Sequence, residues 1–217
     1  MLVKIVVVEV LDVAAYDRAQ RAWSKLGTTT GFIGQTGGWM HNQHAVIVAF
    51  WESASAHDAF MKNGHDALER EFLGSHRAID VLLANALVPL RGTSDLISGV
   101  WDATYLRVMD CRVAPQRADH FITVQREIWT PAMESRPGML GGAFAGAVDD
   151  PQRFVVATLW SDKQAHDTYQ REIFSRRLYS GRCRNRHQAH RRAVRAGLSR
   201  VARDQRRLTR YSSRYGR

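Results

Sequence analysis

Phe50-Trp51-Glu52-Ser53, followed by Ala56-His57-Asp58-Ala59-Phe60, returns 109 residues later as Leu159-Trp160-Ser161-Asp162, followed by Ala165-His166-Asp167-Thr168-Tyr169. In each copy an apolar, β-branched run ends on the tryptophan, Ala45 to Trp51 and Phe154 to Trp160. A Ser or Asp able to cap a helix follows directly, so both stretches read as a strand turning into a helix. Outward from this centre the agreement continues. Gly31-Phe32-Ile33-Gly34 opens a strand that runs into Gly37-Gly38-Trp39, and Pro137-Gly138-Met139-Leu140-Gly141-Gly142 mirrors it at 107 residues. Farther upstream, Val3 to Val10 predicts a strand, and Asp12 caps a helix from Val13 to Leu26 that carries Trp23. The counterparts are a strand from Thr104 to Cys111 and a helix from Pro115 to Met133 that carries Trp129. Several matches at nearly one offset mark an internal repeat.

The first copy is complete, because Ala78 to Val88 supplies a last strand closed by Pro89. The order is therefore β-α-β-β-α-β, and the fold class is α+β with two tandem ferredoxin-like units. The first spans 1–92 and the second 100–175, with turn-forming Arg91-Gly92-Thr93-Ser94-Asp95 between them. No apolar alternating run follows the last helix of the second copy, where Arg176-Arg177-Leu178-Tyr179 leads into an Arg-rich tail, 176–217. The second unit thus lacks a clear last strand, and its sheet edge is left for the tail or another subunit to cover.

The formal charge of +10 is unevenly placed. Residues 171–217 hold 16 Arg and no Lys against Glu172 and Asp204, while the rest of the chain holds 15 basic and 19 acidic groups. The body is mildly acidic, so nucleic acid is not an expected partner except through the tail, to which any polyanion binding belongs. The tail reads as disordered or loosely helical; an aberrant reading of a GC-rich coding region is the other explanation of its composition. The longest apolar stretch, Ile79 to Leu90, is too short and too interrupted to cross a bilayer. The N-terminus lacks the features of a signal peptide, which makes the cytoplasm the expected location. Cys111 and Cys183 form neither a disulfide framework nor a metal motif.

The run Gly31-Phe32-Ile33-Gly34-Gln35-Thr36-Gly37-Gly38-Trp39, with Ala49-Phe50-Trp51 and the helix ending near His65-Asp66, resembles the dimeric α+β barrel superfamily. Within it the likeness is to the antibiotic-biosynthesis-monooxygenase-like group, in an uncharacterised bacterial branch, over residues 1–175. The resemblance implies two ferredoxin-like units packed sheet to sheet as an intrachain α+β barrel, with a pocket between sheet and helices. A homodimer then becomes optional. It also implies an enzyme of aromatic or polyketide-type secondary metabolism, a cofactor-independent monooxygenase or a cyclase acting on a small aromatic ligand. A non-catalytic ligand-binding or stress-related protein is the alternative.

His65 and Asp66 are the candidate catalytic pair, an imidazole able to take a proton beside a carboxylate able to orient it, or else a helix-end cap. The second copy has Arg171-Glu172 at that place, so a working pocket belongs to the first. Trp39, Gln35, Thr36 and Trp23 are candidates for holding substrate; Trp39 has no counterpart, Gly146 standing near its place. His57 and His166 recur in both copies and read as packing, as do Trp51 and Trp160. His41 and His44, and again His187 and His190, have metal-like spacing without a third ligand, so no metal and no cofactor is expected.

Overall fold

The computed structural model describes residues 1–40, 43–70, 74–174 and 192–198. Its chain divides into two compact units, Met1–Leu83 with the end of a late strand, and Ala84–Arg195.

In the first unit β1 (Leu2–Val10) lies antiparallel to β3 (His44–Trp51), in register from Leu2 opposite Trp51 to Glu9 opposite His44. On the other side of β3 runs β2 (Phe32–Trp39), also antiparallel, with a bulge between Phe32 and Gly34. The first helix, α1 (Val13–Ala22), starts where the Asp12 carboxylate accepts the Ala15 amide at 2.9 Å. It ends four residues earlier than the periodicity predicts and tightens into a 3-10 turn, Trp23–Thr28. Gly27 and the threonines that follow it are weak helix formers, which explains the early end. Ser53 caps α2 (Ala54–Asn63) through the Ala56 amide, and α3 (His65–Arg70) follows after Gly64. Gly31, at φ +75°, admits α2 closely: a Cβ there would stand 2.5 Å from Ala56 Cβ.

The strand expected over Ala78 to Val88 is longer, β4 (His76–Leu90), and passes through Pro89 just after a bulge at Ala86/Val88. It begins beside the end of β1, where the Ser75 carbonyl accepts the Leu11 and Asp12 amides and Arg77 pairs with Glu9 at 2.6 Å. The division between the units falls inside this strand, after Leu83, not after residue 92. The presumed turn beyond it is a helix, α4 (Gly92–Asp102), whose Leu96 and Val100 are buried. Gly92-Thr93-Ser94 reads as a turn in sequence, yet only Arg91 and Gly92 adopt positive φ.

The second unit repeats the register. Strand β5 (Tyr105–Arg112) pairs with β7 (Arg153–Trp160) from Tyr105 opposite Trp160, and β6 (Met139–Ala147) pairs with β7 with the same bulge, between Met139 and Gly141. Ala84–Leu90 of β4 extends this sheet along β6. The long predicted helix is a 3-10 turn at Pro115, then α5 (Ala118–Val124), a π turn Gln125–Trp129, and α6 (Thr130–Glu134). Pro131 has no amide hydrogen and its ring displaces the carbonyl four residues before it, so the helix widens one turn earlier. Asp162 caps α7 (Lys163–Tyr169) through the Ala165 amide at 2.8 Å.

The tail corrects one expectation. Arg192–Leu198 form a strand, β8, where disorder or loose helix was expected, and Gly38 and Trp39 pair with Leu198 and Gly197. Arginine density hides the alternation of Val194, Ala196 and Leu198 from a reading that looks for apolar runs. The rest of the tail, with Cys183, His187 and His190, lies outside the described residues, as does His41. Cys111 is buried. No helix among the described residues is long and apolar enough to cross a membrane.

Candidate functional site

Between the sheet and helices of the first unit lies a cavity of about 270 Å³. Its floor follows from the strand register. Lys4, Ala49 and Gln35 sit side by side across β1, β3 and β2, and all three line the cavity. Val6 and Ile47 form the next row, and Trp51 lies in the row before. Trp23, Leu26, Phe60 and Met61 wall it from the helices, and His76, Ala78 and Val81 from β4. The wall is mostly apolar and aromatic, with Lys4, Gln20, Gln35, His65, Glu69 and His76 as its polar groups. That balance suits a small amphipathic ligand.

Residue by residue, the same rows are filled differently in the second unit. Register pairs Lys4 with Arg107, Ala49 with Thr158, Gln35 with Gly142, and Gly37 with Phe144. Phe144 stacks on Phe154 and meets Phe121 edge-on, within a core that also holds Trp129, Met133 and Trp160. One substitution has a polar consequence. The Trp160 Nε1 donates to Thr158 Oγ1 at 3.0 Å, whereas Trp51, with Ala49 in that place, keeps a buried Nε1 that has no partner among the described residues.

Of the residues singled out from sequence, His65, Trp23 and Gln35 line the cavity. The His65 ring stands 5.8 Å from Trp23 and 6.0 Å from Phe60, and its Nδ1 lies 3.2 Å from Asp66 Oδ1 and 3.3 Å from Glu69 Oε2. Asp66 is exposed and touches the imidazole from outside the cavity wall. Gln35 Nε2 reaches Gln20 Oε1 at 3.5 Å. Thr36 is not in the wall: strand alternation turns it to the opposite face, where its Oγ1 is buried with no partner among the described residues. Trp39 shares the face of Gln35 but lies two ladder steps along, packed edge-on against Tyr16 at 5.6 Å with Val8, Val10 and Ala45. It fills space over the start of α1 and does not line the cavity.

His57 is buried beside Trp51 with Nδ1 on Asp58 at 3.1 Å; burial pushes its imidazole below the usual value, against the pull of that hydrogen bond. His76 is lowered in the same way by burial, with Nδ1 on Ser75 at 2.8 Å. Lys4, Gln20, Glu69 and His76 are cavity residues that sequence reading missed. The available signal was Lys4 itself, a lysine inside the apolar run Leu2 to Val8. Burial pushes its amine below the usual lysine value, opposed by the Glu69 carboxylate. His65, Asp66 and Glu69 together also place three potential metal donors within 4.8 Å of one another, all on the single turn-and-a-half of α3.

Residues 2–83 match the model of a domain of unknown function (DUF4937). Residues 104–195 match the model described as antibiotic biosynthesis monooxygenase. The second unit is similar to domains of that family. The match runs past residue 175 into the tail and takes in the start of β8. Among relatives, the uncharacterized protein YdbC of Bacillus subtilis is 38% identical over 77 residues, which is 33% of this chain and 65% of the relative. The chain therefore covers less than two thirds of that protein. Solved structures share the fold. A putative monooxygenase from Fusobacterium nucleatum aligns with TM-score 0.74 at 11% identity over 91% of both chains. One from Lactobacillus acidophilus aligns at 0.64 and 14%, over 91% of this chain and 95% of that one. An anthrone oxidase-like protein gives 0.54 and 12% over 91% of each. The chain is thus α+β, with the fold of these structures.

Proposed function

We propose that the first-unit cavity binds a small aromatic or polyketide-like phenol and that the protein acts on it as a cofactor-independent monooxygenase or a cyclase. The observation that carries this reading is the cavity itself, walled by Trp23, Trp51 and Phe60 and polar only at a few places. Flat rings bind against such faces, and the few polar groups fix orientation. His65 is the base. Carboxylates at Nδ1 hold the proton on that nitrogen and leave Nε2 bare to accept one from the ligand. A phenol or enol that gives up its proton becomes electron-rich enough to reduce oxygen itself, or to close a ring onto its own carbonyl. The solved monooxygenase-type structures of this fold support the assignment by analogy.

Oxygen uptake with a panel of polycyclic phenols tests it. Uptake by the wild type that drops at least tenfold in His65→Ala supports the assignment. Equal rates in both proteins would remove His65 from the chemistry. Binding of the panel without oxygen uptake or product would make this a ligand-binding protein.

A further inference from the structure

Lys4 is placed in a way the proposed chemistry does not yet use. It projects from the first half of β1 into the cavity floor, between Val3 and Ile5, both buried on the opposite face. Among the described residues, the one hydrogen-bond acceptor at its Nζ is the thioether of Met61, at 3.5 Å. An ammonium carries three donors and a thioether is a weak acceptor, so most of its hydrogen-bonding capacity is unspent. Glu69, whose charge acts on Lys4, makes no ion pair with it and is 3.3 Å from His65 instead. The other titratable groups around this end of the cavity are His65 on α3, His57 on α2 and His76 on β4; β2 and β3 contribute none to the wall. A basic side chain also stands at the same register position in the second unit, Arg107, but there it is buried against Met109.

A cation in a largely apolar chamber, short of acceptors, is a site for an anionic oxygen. We infer that Lys4 sets the ligand class of the cavity: an aromatic molecule bearing one ionised oxygen, phenolate, enolate or carboxylate, held by that oxygen on Lys4 Nζ. This rests on the proposal that the cavity receives aromatic rings, and it adds the polar handle by which they are selected. A bound anion offsets the cost that burial puts on the ammonium, so ligand and ammonium stabilise each other. A ligand that enters as a neutral phenol or enol gives its proton to His65 Nε2, and the oxyanion so formed is the one that Lys4 holds. The cation then stabilises the reactive form without taking part in bond making.

Equilibrium binding, which needs no turnover, tests this. Naphthoate and the uncharged, similarly shaped methylnaphthalene are titrated into the full chain, followed by quenching of tryptophan fluorescence and by calorimetry. The wild type should prefer naphthoate by about tenfold or more, the worth of one charge-assisted hydrogen bond. Lys4→Met should bring the ratio of the two affinities to near unity, and Lys4→Arg should keep part of the preference. Equal affinity of the wild type for both probes would overturn the inference with no variant needed, as would a preference undiminished in Lys4→Met. Failure of both probes to bind would overturn it together with the aromatic cavity. Selective naphthoate binding without oxygen uptake on phenols would sustain Lys4 as the anion site and overturn only the monooxygenase reading.

Discussion

Ala49→Thr should stabilise the protein and at the same time narrow its cavity. Ala49 lies opposite both Lys4 and Gln35 and two residues before Trp51, as Thr158 lies two residues before Trp160. In the second unit the threonine hydroxyl accepts the indole N–H at 3.0 Å; in the first, Trp51 is 2% exposed and its N–H has no acceptor among the described residues. An unpaired buried donor costs about 1–3 kcal/mol, and a hydrogen bond formed on folding contributes about 1 kcal/mol net. A threonine that reproduces the second unit's geometry should therefore gain about 1–2 kcal/mol, and its β-branching suits a strand. For a chain of this size that is a rise of roughly 2–8 °C in melting temperature. The assay is a thermal melt of both proteins at one pH. The indole N–H proton resonance of Trp51 should also move downfield toward that of Trp160. Naphthoate affinity should fall, because the new methyl and hydroxyl occupy the floor beside Lys4. A lower melting temperature with an unmoved indole resonance would refute the reasoning: the two rows would then not be equivalent in detail.

Two further outcomes rest on local geometry. Gly31→Ala and Gly138→Ala should each destabilise by about 2 kcal/mol or more, from left-handed backbone that disfavours a side chain and from contact. The new Cβ would meet Ala56 Cβ at 2.5 Å in one case, and Ser161 Oγ at 2.5 Å and Ala165 Cβ at 2.7 Å in the other. Denaturant midpoints that stay within error of the wild type would argue against close approach of those helices. The second outcome concerns acid. His57 and His76 have imidazoles held below the ordinary 6.5 by burial, so the unfolded chain takes up their protons first. Stability should be complete above that value and decline as the pH falls through and below it. A melting temperature that stays level from pH 7.5 to 5 would contradict this, and His76→Asn should flatten part of the decline.

Strand ends and caps were legible because local chemistry decides them. A tryptophan closing an apolar run, then Ser53 or Asp162 accepting an amide two to three residues on, says the same thing in any fold. The helix α4 and the strand β8 were not, since each contradicts its composition: turn formers open one and arginines crowd the other. Placement of side chains was only half visible. Alternation puts Gln35 and Trp39 on one face, but which of them meets the cavity depends on where α1 crosses the sheet, a tertiary fact. Thr36 differs from Gln35 by a single step of that alternation, and the bulge at Phe32/Gly34 sets its phase. Lys4 went unread because one lysine in a strand of valines resembles an exposed position on a half-buried sheet.

The matching bulges and rows mean that one molecule carries the same backbone frame with two different fillings. That makes it its own control. A change of solvent, temperature or denaturant that acts on the frame should be reported equally by Trp51 and Trp160, each at the end of its third strand. A change that acts through an occupant of the chamber should be reported by Trp51 alone, because aromatic rings already occupy the matching rows around Phe144. The difference between two tryptophan signals, read within a single sample, then measures occupancy directly and cancels everything the two frames have in common.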